Sequence, residues 1–375
     1  MFEQNGGEGE RVNMPTKKKG FWRKTLLAIL AVVILLAVGM GVLFRSEIKT
    51  VNSIKKVDDY GFYTMEYAGD YGFDDFLKVG ASNDEELIDF VAKRLLKGLP
   101  ITITGPELSC STFNAVTPEG DYIFGRNFDM GYSPGVIVHT QPADGYESIS
   151  MVNLAFLGYQ DDYMPDKFFA KILALAAPYV PLDGINEKGL AVGVLLLPDT
   201  PTKQETEKVD INSTTAIRLL LDKAATVDEA VALLERYDMH DSANSCFHYQ
   251  IADAQGNSVI VEYVNNEMQV LKPETSYQAC TNFYLTPGEK YNFGEGQDRY
   301  EIVLTGLKEK DGVITAQDGM NLLKAAKLVD YLDEKTGILY NTQWSAIYNN
   351  NQKCVDLAIG QNYDQVYHFS VGDKF

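Results

Sequence analysis

The stretch Thr25–Phe44, TLLAILAVVILLAVGMGVLF, is a run of 20 residues without a charge. A helix of that length is about 30 Å long, one hydrocarbon core of a bilayer. Arg11, Lys17, Lys18, Lys19, Arg23 and Lys24 precede it, whereas Arg45 and Lys49 follow. This asymmetry predicts a cytoplasmic basic segment over 1–24, a transmembrane helix over 25–44 and the remainder outside the membrane. A cleavable secretory signal is the competing reading, because Ala37-Val38-Gly39 is a small-x-small site. The run is longer than the usual apolar core of a signal, which favours an uncleaved, single-pass anchor in the cell membrane. A cut signal would release a secreted protein; in both cases residues 50–375 are extracytoplasmic.

The 375-residue chain is 45% hydrophobic and can bury a sizeable core. Its formal charge of −19 argues against a nucleic-acid partner, since phosphate binding needs a basic footprint. Cys110, Cys246, Cys280 and Cys354 could pair outside the membrane, but a chain of this size does not need such staples. No two of them have metal-ligand spacing, and His139, His240, His248 and His368 are scattered, each by default a surface or core histidine. Neither a metal nor a cofactor is expected.

Residues 45–80 show no clear period. Ser82–Lys97 reads as an amphipathic helix, with Ser82 and Glu85 as a capping box and Leu87, Ile88, Val91, Leu95 and Leu96 on one face. Gly105-Pro106 is a turn. From Cys110 the texture changes to short strands: Ser111–Val116 and Tyr122–Arg126 flank Pro118-Glu119-Gly120, a hairpin signature. Further strands are predicted at Val136–Thr140, Ser148–Phe156, Leu190–Leu197, Tyr249–Asp253, Val259–Tyr263 and Met268–Lys272. A last hairpin pairs Thr342–Tyr348 with Val355–Ile359. Helices are predicted at Phe168–Ala177, Thr214–Ala225, Thr226 to about Arg236, Gln297–Lys308 and Asp318–Tyr331. The elements do not alternate as βαβ units would, which points to an α+β fold of antiparallel sheets with helices packed outside.

The chemistry-bearing constellation is Ser109-Cys110-Ser111-Thr112-Phe113-Asn114 followed, one hairpin later, by Gly125-Arg126-Asn127-Phe128-Asp129. The hairpin brings the cysteine at the start of one strand to the Arg–x–x–Asp at the end of the other. A guanidinium near the thiol favours thiolate, the reactive form, and Asp129 can hold and orient a base. No histidine adjoins the cysteine, although one is the usual base for such a nucleophile.

These residues resemble the choloylglycine hydrolase family of N-terminal-nucleophile hydrolases, which includes conjugated bile salt hydrolases and penicillin V acylases. Acid ceramidase-like and isopenicillin-N acyltransferase-like amidases are relatives. The family begins its mature catalytic chain at the cysteine and uses the freed α-amine, which titrates near pH 8, as the base. Gly184-Ile185-Asn186-Glu187-Lys188-Gly189-Leu190 is similar to the family's Asn-Glu-Lys-Gly-Leu hairpin. Thr281-Asn282 resembles its Thr-Asn, whose amide helps bind the oxyanion, and Arg299 falls where the family places a second arginine. Arg299 reads equally well as part of a solvated helix face. In two respects the chain departs from the bile salt hydrolases. Where they have an oxyanion-hole asparagine ten residues beyond Asn186, this chain has Leu196, and 109 residues stand ahead of Cys110.

The resemblance implies the αββα four-layer sandwich of the N-terminal-nucleophile hydrolases, preceded here by one transmembrane helix. It implies a juxtamembrane or propeptide segment over 45–109 and a catalytic amidohydrolase domain over 110–375. The candidate catalytic residues are Cys110, Arg126, Asp129, Asn282 and Arg299. The implied reaction is hydrolysis of a linear, non-peptide amide bond in a small-molecule N-acyl amide, after autoproteolysis before Cys110. Acyl transfer to an amine, as in the isopenicillin-N acyltransferases, stays open. So does an inactive membrane-anchored binding module, for which Leu196 is the only support. Composition puts the walls of the acyl pocket in the loops Met130–Pro134 and Tyr159–Pro165, rich in Tyr and Met.

Overall fold

The computed structural model describes residues 18–102, 109–160, 163–333 and 337–375. Arg11 and Lys17 of the basic segment and the Gly105-Pro106 turn lie outside them. The chain forms two compact units, the first ending at Ile48 and the second running from Lys49 to Phe375. In the first, the helix Lys18–Leu43 contains Trp22–Leu43, 22 residues long and apolar enough to cross a membrane or to serve as a signal sequence.

Two large sheets make up the second unit. The nine-stranded sheet runs Lys55–Lys56, Phe62–Tyr67, Gly135–Thr140, Ser148–Asn153, Pro181–Asn186, Ala191–Leu197, Cys246–Ala252, Ser258–Val264, Glu267–Leu271, side by side in that order. The other sheet runs Gln278–Cys280, Ser109–Val116, Tyr122–Met130, Leu339–Asn349, Cys354–Ile359, Val366–Ser370, with Tyr331–Leu332 also paired to Leu339–Asn349. Within these two sheets pairing is antiparallel except where Phe62–Tyr67 lies parallel to Gly135–Thr140; apart from them, Val209–Asn212 pairs in parallel with Tyr237–His240. Strand Phe62–Tyr67 comes from the stretch 45–80, in which no period is visible. Four of its six residues are buried in succession, so no polar–apolar alternation marks it.

Period-2 geometry sorts the central strands into two faces. Phe113, Ala115, Ile123 and Ile347 pack with Val303, Leu307, Met320 and Leu323 of the helices Gln297–Glu309 and Ala316–Ala325. Cys110, Phe124, Phe128 and Trp344 turn the other way and share a core with Val192, Val194 and Tyr249 of the nine-stranded sheet. On the far side of that sheet the helix Ser213–Lys223 packs against Pro181–Asn186 and Ala191–Leu197.

The local expectations hold with adjusted ends. The helix predicted over Ser82–Lys97 is Asp84–Arg94, and its cap is Asn83 rather than Ser82. Asn83 Oδ1 accepts from Glu86 N at 3.0 Å, while the Glu86 carboxylate accepts from the Ser82 N–H at 2.9 Å, one residue ahead of the cap, so the expected Ser82–Glu85 box does not form. The helix predicted over Asp318–Tyr331 stops at Ala325, because Tyr331 pairs with Tyr340 as an edge strand. The apolar run Phe168–Ala177 forms a 3-10 helix, Ala170–Tyr179.

Candidate active site

Cys110 is the second residue of its strand and faces Phe128 across the hairpin, with Ser109 opposite Asp129. All five residues singled out in the sequence come together there. Arg126 Nη2 donates to Cys110 Sγ at 3.4 Å, across a separation of 16 residues that the hairpin closes. The Cys110 main-chain N–H donates to Asn282 Oδ1 at 2.7 Å. Arg299 donates from Nη1 to the Cys110 carbonyl at 2.7 Å and from Nη2 to Asn282 Oδ1 at 2.9 Å. Arg299 is only 4% exposed, so it does not belong to a solvated helix face.

Arg126 and Asp129 are three residues apart on one strand and therefore point to opposite faces. Arg126 enters the space between the sheets. There Nε donates to Asp183 Oδ2 at 2.8 Å and Nη1 to the Val194 carbonyl at 2.6 Å, leaving Nη2 for the sulfur. Gly193 makes room for it: a Cβ there would lie 3.1 Å from Arg126 Cδ. Asp129 turns towards the helices, pairs with Arg299 Nη1 at 3.2 Å and accepts from Thr342 Oγ1 at 2.5 Å. It is linked to the main chain of Cys110 through Arg299, whose Nη1 donates both to Asp129 Oδ2 and to the Cys110 carbonyl. Its hydrogen-bond partners in the intact chain are thus Arg299 and Thr342, and the Cys110 N–H is held by Asn282.

Electrostatics in this dry site run against the simple expectation that Arg126 delivers a thiolate. Cys110 is fully buried, and burial pushes its thiol up to about 11; Arg126 and Arg299 pull it down, and Asp129 pushes it up. The arginine acts in the expected direction, but loss of hydration outweighs it while the residue is covered. Asp129 is also raised, by burial first, against the opposing pull of Arg299 and the Thr342 hydrogen bond.

Asn282 does not stand free as an oxyanion donor. Its Nδ2 donates to the Leu196 carbonyl at 2.8 Å, and its Oδ1 accepts from Cys110, Ser109 and Arg299. Leu196, where bile salt hydrolases carry an asparagine, therefore contributes its main chain to the site. A cleft of about 590 Å³ opens beside these residues, lined by Ser109, Leu196, Asp199, Asn282, Tyr331 and Tyr340 among others. Its lining includes no residue of the loops Met130–Pro134 and Tyr159–Pro165, where composition puts the acyl pocket; residues 161 and 162 of the second loop lie outside the described residues. The loop after Met130 is tied elsewhere: Ser133 N donates to Gln343, and the Tyr132 hydroxyl to the Tyr60 carbonyl. Tyr159 is buried, with its hydroxyl on the Ala170 carbonyl.

The Asn186-Glu187-Lys188-Gly189 hairpin proves to be scaffolding. Asn186 Nδ2 donates to the carbonyls of Leu221 and Ala224, tying off the end of the helix Ser213–Lys223, and Oδ1 accepts from Lys188 N and Leu190 N. Gly189 has φ +82°, and a Cβ there would meet the Asn350 carbonyl at 2.0 Å. Residues that sequence reasoning missed surround the core of the site. Asp183 takes the Arg126 Nε, the Trp344 Nε1 and the Tyr348 hydroxyl. Its position beside Gly184, in the segment that drew notice for its asparagine, was the one available signal. Among the described residues no group of three or more His, Cys, Asp or Glu could hold a metal ion.

Comparison with known proteins gives first the fold and then a family resemblance. The chain has the fold of a conjugated bile acid hydrolase variant from Clostridium perfringens, with TM-score 0.52 and 16% identity over 70% of this chain and 92% of that one. A second variant of the same enzyme gives TM-score 0.52 and 17% identity, covering 70% and 93%. This is the N-terminal-nucleophile hydrolase fold, of mixed helix and sheet. In sequence the chain resembles the linear amide C–N hydrolases, choloylglycine hydrolase family, whose model matches residues 110–283. Penicillin V acylase of Pectobacterium atrosepticum is 33% identical over 111 residues, 27% of this chain and 29% of that enzyme. The match thus spans less than a third of that relative's length.

Proposed function

We propose that this protein hydrolyses a linear, non-peptide amide bond with Cys110 as an N-terminal nucleophile, after cutting its own chain between Ser109 and Cys110. The reading rests on one observation above the others: Arg126, Asn282, Arg299 and Asp129 are gathered around both the thiol and the main chain of Cys110. A merely structural cysteine needs no such company. The family match, which begins at Cys110, supports it. The fold is taken as the αββα sandwich, with the two sheets inside and the helices outside.

In maturation, Cys110 Sγ attacks the Ser109 carbonyl carbon. The peptide C–N bond breaks, the nitrogen takes up a proton as the Cys110 α-amine, and Ser109 is left as a thioester. Water then cleaves that thioester, giving a Ser109 carboxylate and a free thiol. The new amine, already oriented by Asn282 and near Asp129, takes the thiol proton in each later turnover. The thiolate attacks the substrate carbonyl; the amine nitrogen leaves with the proton held by the α-ammonium; water resolves the acyl-thioester to a carboxylate. Opening of the site to water would also lower the thiol from the value that burial imposes on it. The Arg299 and Arg126 guanidinium groups stabilise negative charge as it develops.

The substrate is a small N-acyl amide that enters the cleft lined by Leu196, Asn282 and Tyr340. The membrane helix holds the catalytic unit on the extracytoplasmic side. The test is to express the full chain and its Cys110→Ala variant, sequence the N-termini of any fragments, and assay penicillin V, a conjugated bile acid and N-acyl amino acids. Fragmentation before Cys110 together with hydrolysis in the wild type alone is expected. Robust hydrolysis by an uncut chain would overturn the mechanism.

A further inference from the structure

His248 lies in the strand Cys246–Ala252, fully buried, and none of the steps above uses it. Its two ring nitrogens face two acceptors. Nε2 is 2.7 Å from the Thr281 carbonyl and Nδ1 is 3.1 Å from Glu262 Oε1. A carbonyl oxygen has no hydrogen to give. Glu262 is itself saturated with donors: Leu285 N at 2.9 Å, Thr286 N at 2.8 Å and the Thr286 hydroxyl at 2.5 Å. Burial alone would raise the Glu262 carboxyl, but the hydrogen bonds from His248, Thr286 and Leu285 outweigh it and hold the group low. Each ring nitrogen is thus held by one oxygen, on two different segments of the chain.

The pair therefore grips one short segment at both ends, Thr281 through the imidazole and Leu285–Thr286 through the carboxylate. Between the grips sits Asn282, whose amide holds the Cys110 N–H at 2.7 Å and the Leu196 carbonyl at 2.8 Å. We propose that His248 and Glu262 are positioning residues: a buried histidine–carboxylate clamp that fixes the Thr281–Thr286 segment and so aims Asn282 at Cys110. The groups facing the ring are few. Glu262 comes from the neighbouring strand and the Cys280 thiol, 3.7 and 3.8 Å from the ring nitrogens, from the other sheet. Across the strand pairing stands the apolar Leu195. Beyond Cys280 lie Cys110 and Arg126.

The proposal builds on the amidase reading, so its test includes a measurement that needs no activity. Amide hydrogen exchange of the Thr281–Thr286 segment, followed by mass spectrometry in the full chain, should speed up in His248→Leu and stay close to wild type in His248→Gln. Unchanged exchange of that segment in His248→Leu would overturn the clamp, whatever the enzyme turns over. In kinetics, His248→Leu should lower kcat by about tenfold to a hundredfold, the cost of misplacing a reacting group by about an ångström. KM should stay within about threefold, since the ring touches no substrate. His248→Gln, which keeps a donor for the Thr281 carbonyl at similar volume, should recover much of that loss. A wild-type kcat in His248→Leu, or equal losses in Leu and Gln, would overturn the proposal. If the wild type hydrolyses no amide, the functional reading falls and the exchange rates still decide the clamp.

Discussion

The main-chain nitrogen of Cys110 donates to Oδ1 of Asn282 at 2.7 Å while the Ser109–Cys110 bond is intact. The atom that would become the catalytic base is thus already held before it is freed. Arg299 binds the same Oδ1 and the Cys110 carbonyl, so the peptide unit is braced from both sides.

Replacing Cys110 by Ala is expected to leave one uncut polypeptide with no amidase activity. The side chain is fully buried and small, so the fold should survive with a modest loss of stability. Denaturing gels and an assay on the best wild-type substrate check both halves; turnover at the wild-type rate would remove Cys110 from the mechanism.

Asp129→Asn should slow turnover by about two orders of magnitude or more, the scale of a misoriented base. The charge it removes is the partner of Arg299 at 3.2 Å. Steady-state rates on the processed enzyme measure this, and a rate within a fewfold of wild type would mean that another group holds the amine.

Arg126 lowers the Cys110 thiol against the larger effect of burial. Removing the cation must therefore move the thiol further up, and Arg126→Leu should shift the midpoint of iodoacetamide labelling to higher pH. The same change strands Asp183, a fully buried carboxylate, and should cost about 3–5 kcal/mol of stability. Labelling against pH and thermal melts report the two effects separately; an unmoved midpoint would assign Arg126 to structure or substrate.

After cleavage the piece ending at Ser109 should stay bound to the piece starting at Cys110. Strand Phe62–Tyr67 pairs along its whole length with Gly135–Thr140, and Leu87, Val91, Leu95 and Leu96 are buried. Burial of a few such side chains is worth several kcal/mol. Gel filtration in mild detergent should show one species that separates into two bands only after denaturation. Dissociation without denaturant would contradict this.

The local code of the chain was easy to read where the pattern is strong. The hairpin of Cys110 and Arg126 follows from turn residues between two apolar runs, and Thr226 caps its helix as expected, accepting from Glu229 N at 3.2 Å. Phe62–Tyr67 escaped notice because a strand buried on both faces has no period to display. His248 and Glu262 did so because a lone histidine and a lone glutamate carry no spacing that links them.

What the sequence determined by itself is the apolar helix, the strands and helices with a clear period or cap, and the residue types assembled around Cys110. Those properties depend on near neighbours in the chain, through helix and strand periods, caps and turns. What only the tertiary structure decided is the direction each group faces and how dry it is. Arg126 and Asp129 part to opposite faces, Asp183 arrives from 57 residues away to hold the guanidinium, and Asn282 from 172 residues away to hold the Cys110 nitrogen. Burial, which raises the thiol despite two nearby arginines, depends on every layer packed around it, and no local stretch of sequence contains that information.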